Sequence, residues 1–230
     1  MNSAPSVIVF DVNETLSDMS PMGVRFAEVG APAQLAKLWF ATLLRDGFAL
    51  TAAGGNGAFA EIGAEALRGL LPTSDIGMDL DQAVAHVMEG MTGLSLHPDV
   101  AHGVRALRAA GYRLVTLTNG SAQVAEKLFT PAGILAQFEL LLSVEDAPAW
   151  KPAATAYHYA SGACGVEPGE MMLVAVHPWD IHGAARAGLG TAWINRNGAN
   201  YPDYFAAPDY TVATLTELPE ALGQCGRSVP

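Results

Sequence analysis

With 230 residues, half of them hydrophobic and only 15% charged, the chain is long enough for one domain with an insertion and needs no covalent staple. Its 12 basic and 23 acidic residues leave a formal charge of −11, without the basic footprint of a nucleic-acid binder, and no apolar run approaches the length of a bilayer span. Cys164 and Cys225 are too few and too far apart for a disulfide framework or metal cluster; together with a start, Met1 to Pro5, that lacks a signal-peptide pattern, they lead us to expect a cytoplasmic protein with reduced thiols.

The first predicted element is a buried strand, Ser6 to Phe10, a β-branched run that ends abruptly at Asp11. From Pro98 onward the pattern alternates. A helix opens at Pro98-Asp99 with Val100, Val104 and Leu107 on one face, and a strand follows over Arg113 to Thr118, closed by the polar turn Asn119-Gly120-Ser121. A helix over Gln123 to Phe129, a strand over Leu140 to Val144 and a helix over Ala153 to Cys164 come next. Met171 to Val176 and Thr191 to Ile194 read as strands on either side of a small-residue helix from Asp180 to Gly188, with a last strand at Tyr210 to Val212 and a helix near Glu217 to Leu222. Strands alternating with helices predict an α/β fold, a Rossmann-like parallel sheet covered on both faces.

Residues 17–96 break that rhythm. They carry helical patterns at Leu35 to Arg45 and Leu80 to Met91, joined across Gly54-Gly55-Asn56-Gly57, and no convincing strand. We read them as a helical cap inserted after the first strand, leaving 1–16 and 97–230 as the core.

In an open parallel sheet, ligands gather beyond the carboxyl ends of the strands. Asp11, Thr118-Asn119, Lys151 and His177 to Asp180 all fall at predicted strand ends or just after them. Singly, each has a plain structural explanation, such as a turn-forming Asp11 or Asp180 capping its own helix. Together, on one rim, they suggest a reaction centre.

Asp11-Val12-Asn13-Glu14-Thr15-Leu16 resembles the first signature of the haloacid dehalogenase superfamily, an Asp-x-x-x-Thr after a hydrophobic strand. Thr116 to Gly120 resembles its second motif, Lys151-Pro152 its third, and Ala175 to Asp180 stands where the fourth belongs. The resemblance spans essentially the whole chain and is strongest to the type II, or L-2-haloacid, dehalogenases, with Ser143-Val144, Tyr157, Trp179-Asp180 and Trp193-Ile194-Asn195-Arg196 as supporting details.

That resemblance implies a hydrolase that cleaves a short (S)-2-haloacid to an (R)-2-hydroxyacid and halide through an ester on Asp11. It implies no cofactor and no metal. The phosphatase relatives carry a second Asp where this chain has Asn13, and an acid where it has Val176, so a hard divalent ion would find too few oxygens. The roles follow from charge: we expect Lys151 to keep Asp11 anionic, Asp180 to orient Lys151 or the hydrolytic water, and Thr15, Thr118 and Asn119 to steady Asp11 or the substrate carboxylate. Val12 and Asn13 border the substrate, Tyr157 and Trp179 line a dry pocket, and a possible homodimer is the default assembly.

Three matches to those dehalogenases are imperfect. Asn13-Glu14 replaces Tyr-Gly, and Ala175 and His177 replace Ser and Asn; His177 is a candidate general base. The halide-binding Arg that follows a Trp is absent, since Phe40 follows Trp39, and Arg45 one turn further on is the expected substitute. Two other readings stay open: a phosphatase or phosphonatase with atypical motifs, and a non-catalytic binding protein that keeps the fold.

Overall fold

A computed structural model describes residues 5–225; the readings made on Met1 to Ala4 and on the side chain of Cys225 lie outside the described residues. Its centre is a six-stranded sheet in the order β5-β4-β1-β6-β7-β8, with every pair parallel. These are β1 (Val7–Phe10), β4 (Arg113–Thr118), β5 (Leu140–Ser143), β6 (Met171–Ala175), β7 (Gly190–Ile194) and β8 (Tyr210–Val212). The α/β reading of the sequence therefore holds, and each predicted strand is present within two residues of its expected bounds.

The run Val7-Ile8-Val9-Phe10 is wholly buried because a central strand of a covered sheet must be apolar on both sides. Its side chains alternate between two cores. Val7 and Val9 share one with Val115, Leu117, Leu173 and with Tyr157 and Ile181 of α7 (Ala154–Cys164) and α8 (Pro178–Arg186). Ile8 and Phe10 share the other with Val104 of α5 (Val100–Ala109), Phe129 of α6 (Ala122–Phe129) and Leu218 at the start of α9 (Leu218–Cys225). Each such side chain contributes about 1.5–3 kcal/mol by leaving water.

The segment that broke the rhythm carries four helices among its described residues: α1 (Met22–Glu28), α2 (Leu35–Ala52), α3 (Phe59–Leu70) and α4 (Leu80–Gly90). Two differences from the sequence reading stand out. First, α2 does not stop near Arg45. It runs on through Gly47, where a Cβ would lie 2.4 Å from the Trp150 ring; this glycine is there for close packing and does not end the helix. Second, the segment is not free of strand. A two-residue antiparallel ribbon, β2 (Ser17–Asp18) with β3 (Ser95–Leu96), pairs its two ends, too short to leave a periodic signal. Phe26, Trp39, Leu43, Leu67 and Val87 of these helices join the same core as Val9 and Tyr157, so the inserted helices pack over that side of the sheet. No helix among the described residues is long and apolar enough to cross a membrane.

Candidate active site

Strand β1 sits between β4 and β6, so its carboxyl end is the point where the chain's connections diverge to opposite sides, the usual place for a ligand in such sheets. Asp11 follows β1 there, its N–H donating to the Val174 carbonyl at 3.1 Å. Opposite it, the loop after β5 brings in Lys151, whose side chain is 0% exposed. The Lys151 Nζ donates to Asp11 Oδ1 at 2.9 Å and to Asp180 Oδ2 at 2.5 Å. The Thr15 hydroxyl donates to Asp11 Oδ2 at 2.6 Å, and Tyr157 donates to Asp180 Oδ1 at 2.5 Å. All four carboxylate oxygens thus accept a bond from a protein donor.

Two buried carboxylates around one ammonium do not ionise alike. Burial opposes the charge on Asp11, but Lys151, His177 and the Thr15 hydroxyl outweigh it and hold Asp11 below the ordinary carboxylate range. Asp180 moves upward, because burial and then the neighbouring Asp11 charge oppose its own, against the pull of Lys151. Burial also works against the Lys151 charge, yet the two carboxylates raise its pKa above the ordinary 10.5. Burial and the Asp180 charge push the Tyr157 phenol well above its usual value, so it stays a donor. The arrangement is an ionised, nearly dry carboxylate held in place by a buried cation.

The loop geometry explains how Lys151 is aimed. The Asn119 side chain clamps its backbone, with Nδ2 donating to the Lys151 carbonyl at 3.2 Å and Oδ1 accepting from the Lys151 N–H at 3.0 Å. Asn119 therefore acts on Lys151 and makes no bond to Asp11. Arg196 fastens the other wall. Its Nη1 pairs with both oxygens of Asp99 at 2.8 Å, and its Nη2 donates to the Thr15 carbonyl at 3.0 Å. Asp99, expected at a helix start, precedes α5 but makes no capping bond; its side chain goes to Arg196 and to the Leu215 N–H instead.

His177 stands 3.7 Å from Asp11 Oδ2 and 3.7 Å from the Glu14 carboxylate. Its Nε2 lies 3.2 Å from the Asn13 carbonyl oxygen. A carbonyl only accepts, so this nitrogen carries the hydrogen, and the ring atom nearest Asp11 cannot take a proton from water while that bond is made. The expected general base would have to use the other ring nitrogen. Trp179 stacks on His177, with ring centroids 5.1 Å apart, and its ring centre is 6.0 Å from the Lys151 Nζ. Phe48 meets Trp179 edge-on at 4.9 Å, while Phe40 lies tilted against His177 from α2 at 6.3 Å.

Val12, Asn13 and Thr118 line a small, mostly apolar pocket of about 100 Å³ beside Asp11, together with Phe59, Met88 and Met91 from the inserted helices. The Thr118 hydroxyl accepts from the Gly120 N–H and keeps its own hydrogen available. Phe59 had no signal in the sequence, because its helix was not recognised and a lone aromatic after a glycine run marks nothing.

Arg45 is the clear correction. The side chain is 70% exposed and pairs with its neighbour Asp46 at 2.8 Å, and it borders an outer groove with Asn56, Glu61 and Glu65. Five residues beyond Phe40, helical geometry turns it about 140° away from the face that Phe40 presents, so it does not replace a cation near Asp11.

Comparison with known proteins agrees with this geometry. Residues 5–188 match the family model of haloacid dehalogenase-like hydrolases. Haloacetate dehalogenase H-2 of Moraxella sp. (strain B) is 34% identical over 61% of this chain and 63% of its own length. The (S)-2-haloacid dehalogenase 4A of Burkholderia cepacia is 32% identical over 91% of each chain. A crystal structure of a dehalogenase with an intermediate complex, 29% identical, superposes over 96% of this chain and 98% of that one with a TM-score of 0.88. An aspartate at the switch point, a buried lysine across from it and a match over most of its length lead to one conclusion: the chain belongs to the haloacid dehalogenase-like hydrolase family.

Proposed function

We propose that the protein hydrolyses the carbon–halogen bond of (S)-2-haloacids, giving (R)-2-hydroxyacids and halide, with Asp11 as the nucleophile. The observation that carries this reading is the Asp11–Lys151–Asp180 group: an anion at the tip of β1, kept charged by a buried ammonium. The Asp11 carboxylate attacks Cα of the substrate, the carbon–halogen bond breaks with inversion, and halide leaves without needing a proton. Water then attacks the carboxyl carbon of the Asp11 ester, which releases the hydroxyacid and restores the carboxylate. Thr15 and Lys151 stabilise the charge that returns to Asp11, Asp180 and Tyr157 hold Lys151, and the Asn119 clamp sets its position. Asn13 and Thr118 offer donors to the substrate carboxylate in the small pocket, where Val12 forms part of the wall. His177, its Nε2–H donated to the Asn13 carbonyl, packs beside Asp11, and Trp179 shields the ion pair from water.

The division into a core, 1–16 and 97–230, and a cap, 17–96, is part of the same proposal, with the site between them. So are a cytoplasmic location, which fractionation checks, and a homodimer, which sizing in solution checks. A phosphatase is disfavoured by Asn13, which cannot protonate a leaving alkoxide, and by carboxylate oxygens already bonded to Lys151, Thr15 and Tyr157, which leave few for a divalent ion.

The decisive experiment measures halide release from (S)- and (R)-2-chloropropionate with and without chelator, beside Asp11→Asn. Release from the S isomer that survives chelation and disappears in the variant is expected. Phosphate release from p-nitrophenyl phosphate that requires magnesium would instead support the phosphatase. In heavy-oxygen water under single turnover, the label should appear in the Asp11 carboxylate and not in the product.

A further inference from the structure

A second, much larger space lies on the other side of His177 from Asp11 and shares no lining residue with the small pocket. It is a cleft of about 660 Å³ between the inserted helices and the carboxyl ends of β6 and β7. His177 forms its inner wall, and the His177 Nε2 is 3.7 Å from Asp11 Oδ2. Val176, which also lines it, donates its N–H to the Thr15 hydroxyl that holds Asp11. The cleft is therefore one side chain away from the reacting atoms. A two- or three-carbon haloacid does not require it, because the pocket of about 100 Å³ already gives room for small substituents. A volume of that order is instead typical of a site for a larger ligand.

The wall has a consistent chemistry. Met19, Met22, Phe40 and Trp193 supply an apolar floor, and Phe40 occupies the turn of α2 where the resemblance had led us to expect a cation nearby. Charged groups lie towards its rim and are mixed: Lys37 against Glu14 and Asp18, with Arg196 already held by Asp99. Such a rim tolerates water and gives no net attraction to an anionic tail, whereas the floor gains from every methylene it covers.

We propose that this cleft takes the Cα substituent of the substrate, and that the protein acts preferentially on (S)-2-haloacids with an extended alkyl chain. This deepens the dehalogenase reading and rests on it. With Cα against Asp11, the carboxylate beside Asn13 and Thr118 and the halogen on the far side of Cα from the attacking oxygen, the substituent leaves Cα past His177, crosses Phe40 and ends near Lys37.

The test is a chain-length series with the intact enzyme: halide release from (S)-2-chloropropionate, (S)-2-chlorobutyrate and (S)-2-chlorohexanoate. The expected result is a rise in kcat/KM of about threefold per methylene, carried mainly by KM. Ala36→Phe, which puts a ring into the cleft from α2, should lower the ratio of kcat/KM for hexanoate over propionate about tenfold or more. A flat or falling series would overturn the cleft assignment and leave dehalogenation standing. An unchanged ratio in a folded Ala36→Phe would also overturn it. Halide release from none of the three acids would overturn the dehalogenase reading itself, and the cleft's role with it.

Discussion

At the scale of single residues, the protein is governed by how many charges one ammonium must balance. Lys151 is the only cation bonded to two buried carboxylates among the described residues. Lys151→Ala would strand both and should cost about 3–5 kcal/mol of stability, in addition to abolishing turnover. Asp11→Asn keeps the Lys151–Asp180 pair and should cost clearly less; urea unfolding of the two variants gives the order. The pH profile follows from the same group. The folded pKa of Lys151 is raised, so its contribution to stability is complete below the unfolded value and is lost only as pH rises through the higher folded one. Activity in halide release should accordingly show no alkaline fall due to this lysine up to pH ~10. A fall well below that pH would mean that a group other than Lys151 limits the alkaline limb. Glu14 is a different case. Its φ of 60° is a left-handed conformation that costs a residue with a Cβ about 1–2 kcal/mol, part of which glycine would return. Glu14→Gly should raise the unfolding free energy by about 0.5–1 kcal/mol; no rise in the urea midpoint would mean that the Glu14 side chain contributes more than its backbone loses.

At the scale of elements, precision depends on how closely α8 approaches the loop that carries Lys151. Gly183 of α8 is where they meet. A Cβ there would fall 2.6 Å from the Pro152 Cβ and 2.6 Å from the Tyr157 hydroxyl. Gly183→Ala must therefore move the helix or the phenol that holds Asp180, at a cost of about 1–3 kcal/mol. Because Tyr157 acts through Asp180 and Lys151, we expect kcat to fall with little change in KM, and steady-state kinetics would show that split. The inserted helices are tied to the same loop at several points. Trp150 donates its backbone N–H to the Thr51 hydroxyl and its indole N–H to the Gly57 carbonyl, and Asn56 donates to the Ala147 carbonyl. The glycine-rich joint after α2 therefore holds the loop next to Lys151 as well as linking two helices.

At the scale of the whole molecule, the charge of −11 acts against the substrate. An anionic acid approaches an acidic surface, and salt screens the repulsion as the Debye length shrinks from about 30 Å at 0.01 M to about 8 Å at 0.15 M. Across that range kcat/KM for a 2-haloacid should rise by about twofold while kcat stays level. A fall with added salt would mean that local cations, such as Lys37, dominate the approach.

Much of this was legible in the sequence, for physical reasons that differ by element. A strand buried on both faces must be an unbroken apolar run, so β1, β4 and β6 announced themselves, and the polar residues that interrupt such runs marked Asp11, Thr118-Asn119 and His177 to Asp180 at once. A parallel sheet then requires those residues to lie along one rim, which is why Lys151 and Asp11, 140 positions apart, were placed near each other before any coordinate. What stayed hidden depended on direction and contact. Whether Arg45 faces inward is decided by the rotation of α2, whether Gly47 ends that helix by the Trp150 ring, whether Asp99 caps α5 by the reach of Arg196, and which nitrogen of His177 bears hydrogen by the Asn13 carbonyl. The order of elements and the polar residues at the strand ends are properties of local pattern, which the chain carries by itself. Which side chain points at which, and how much empty space they leave beside Asp11, arises only when distant segments pack against one another.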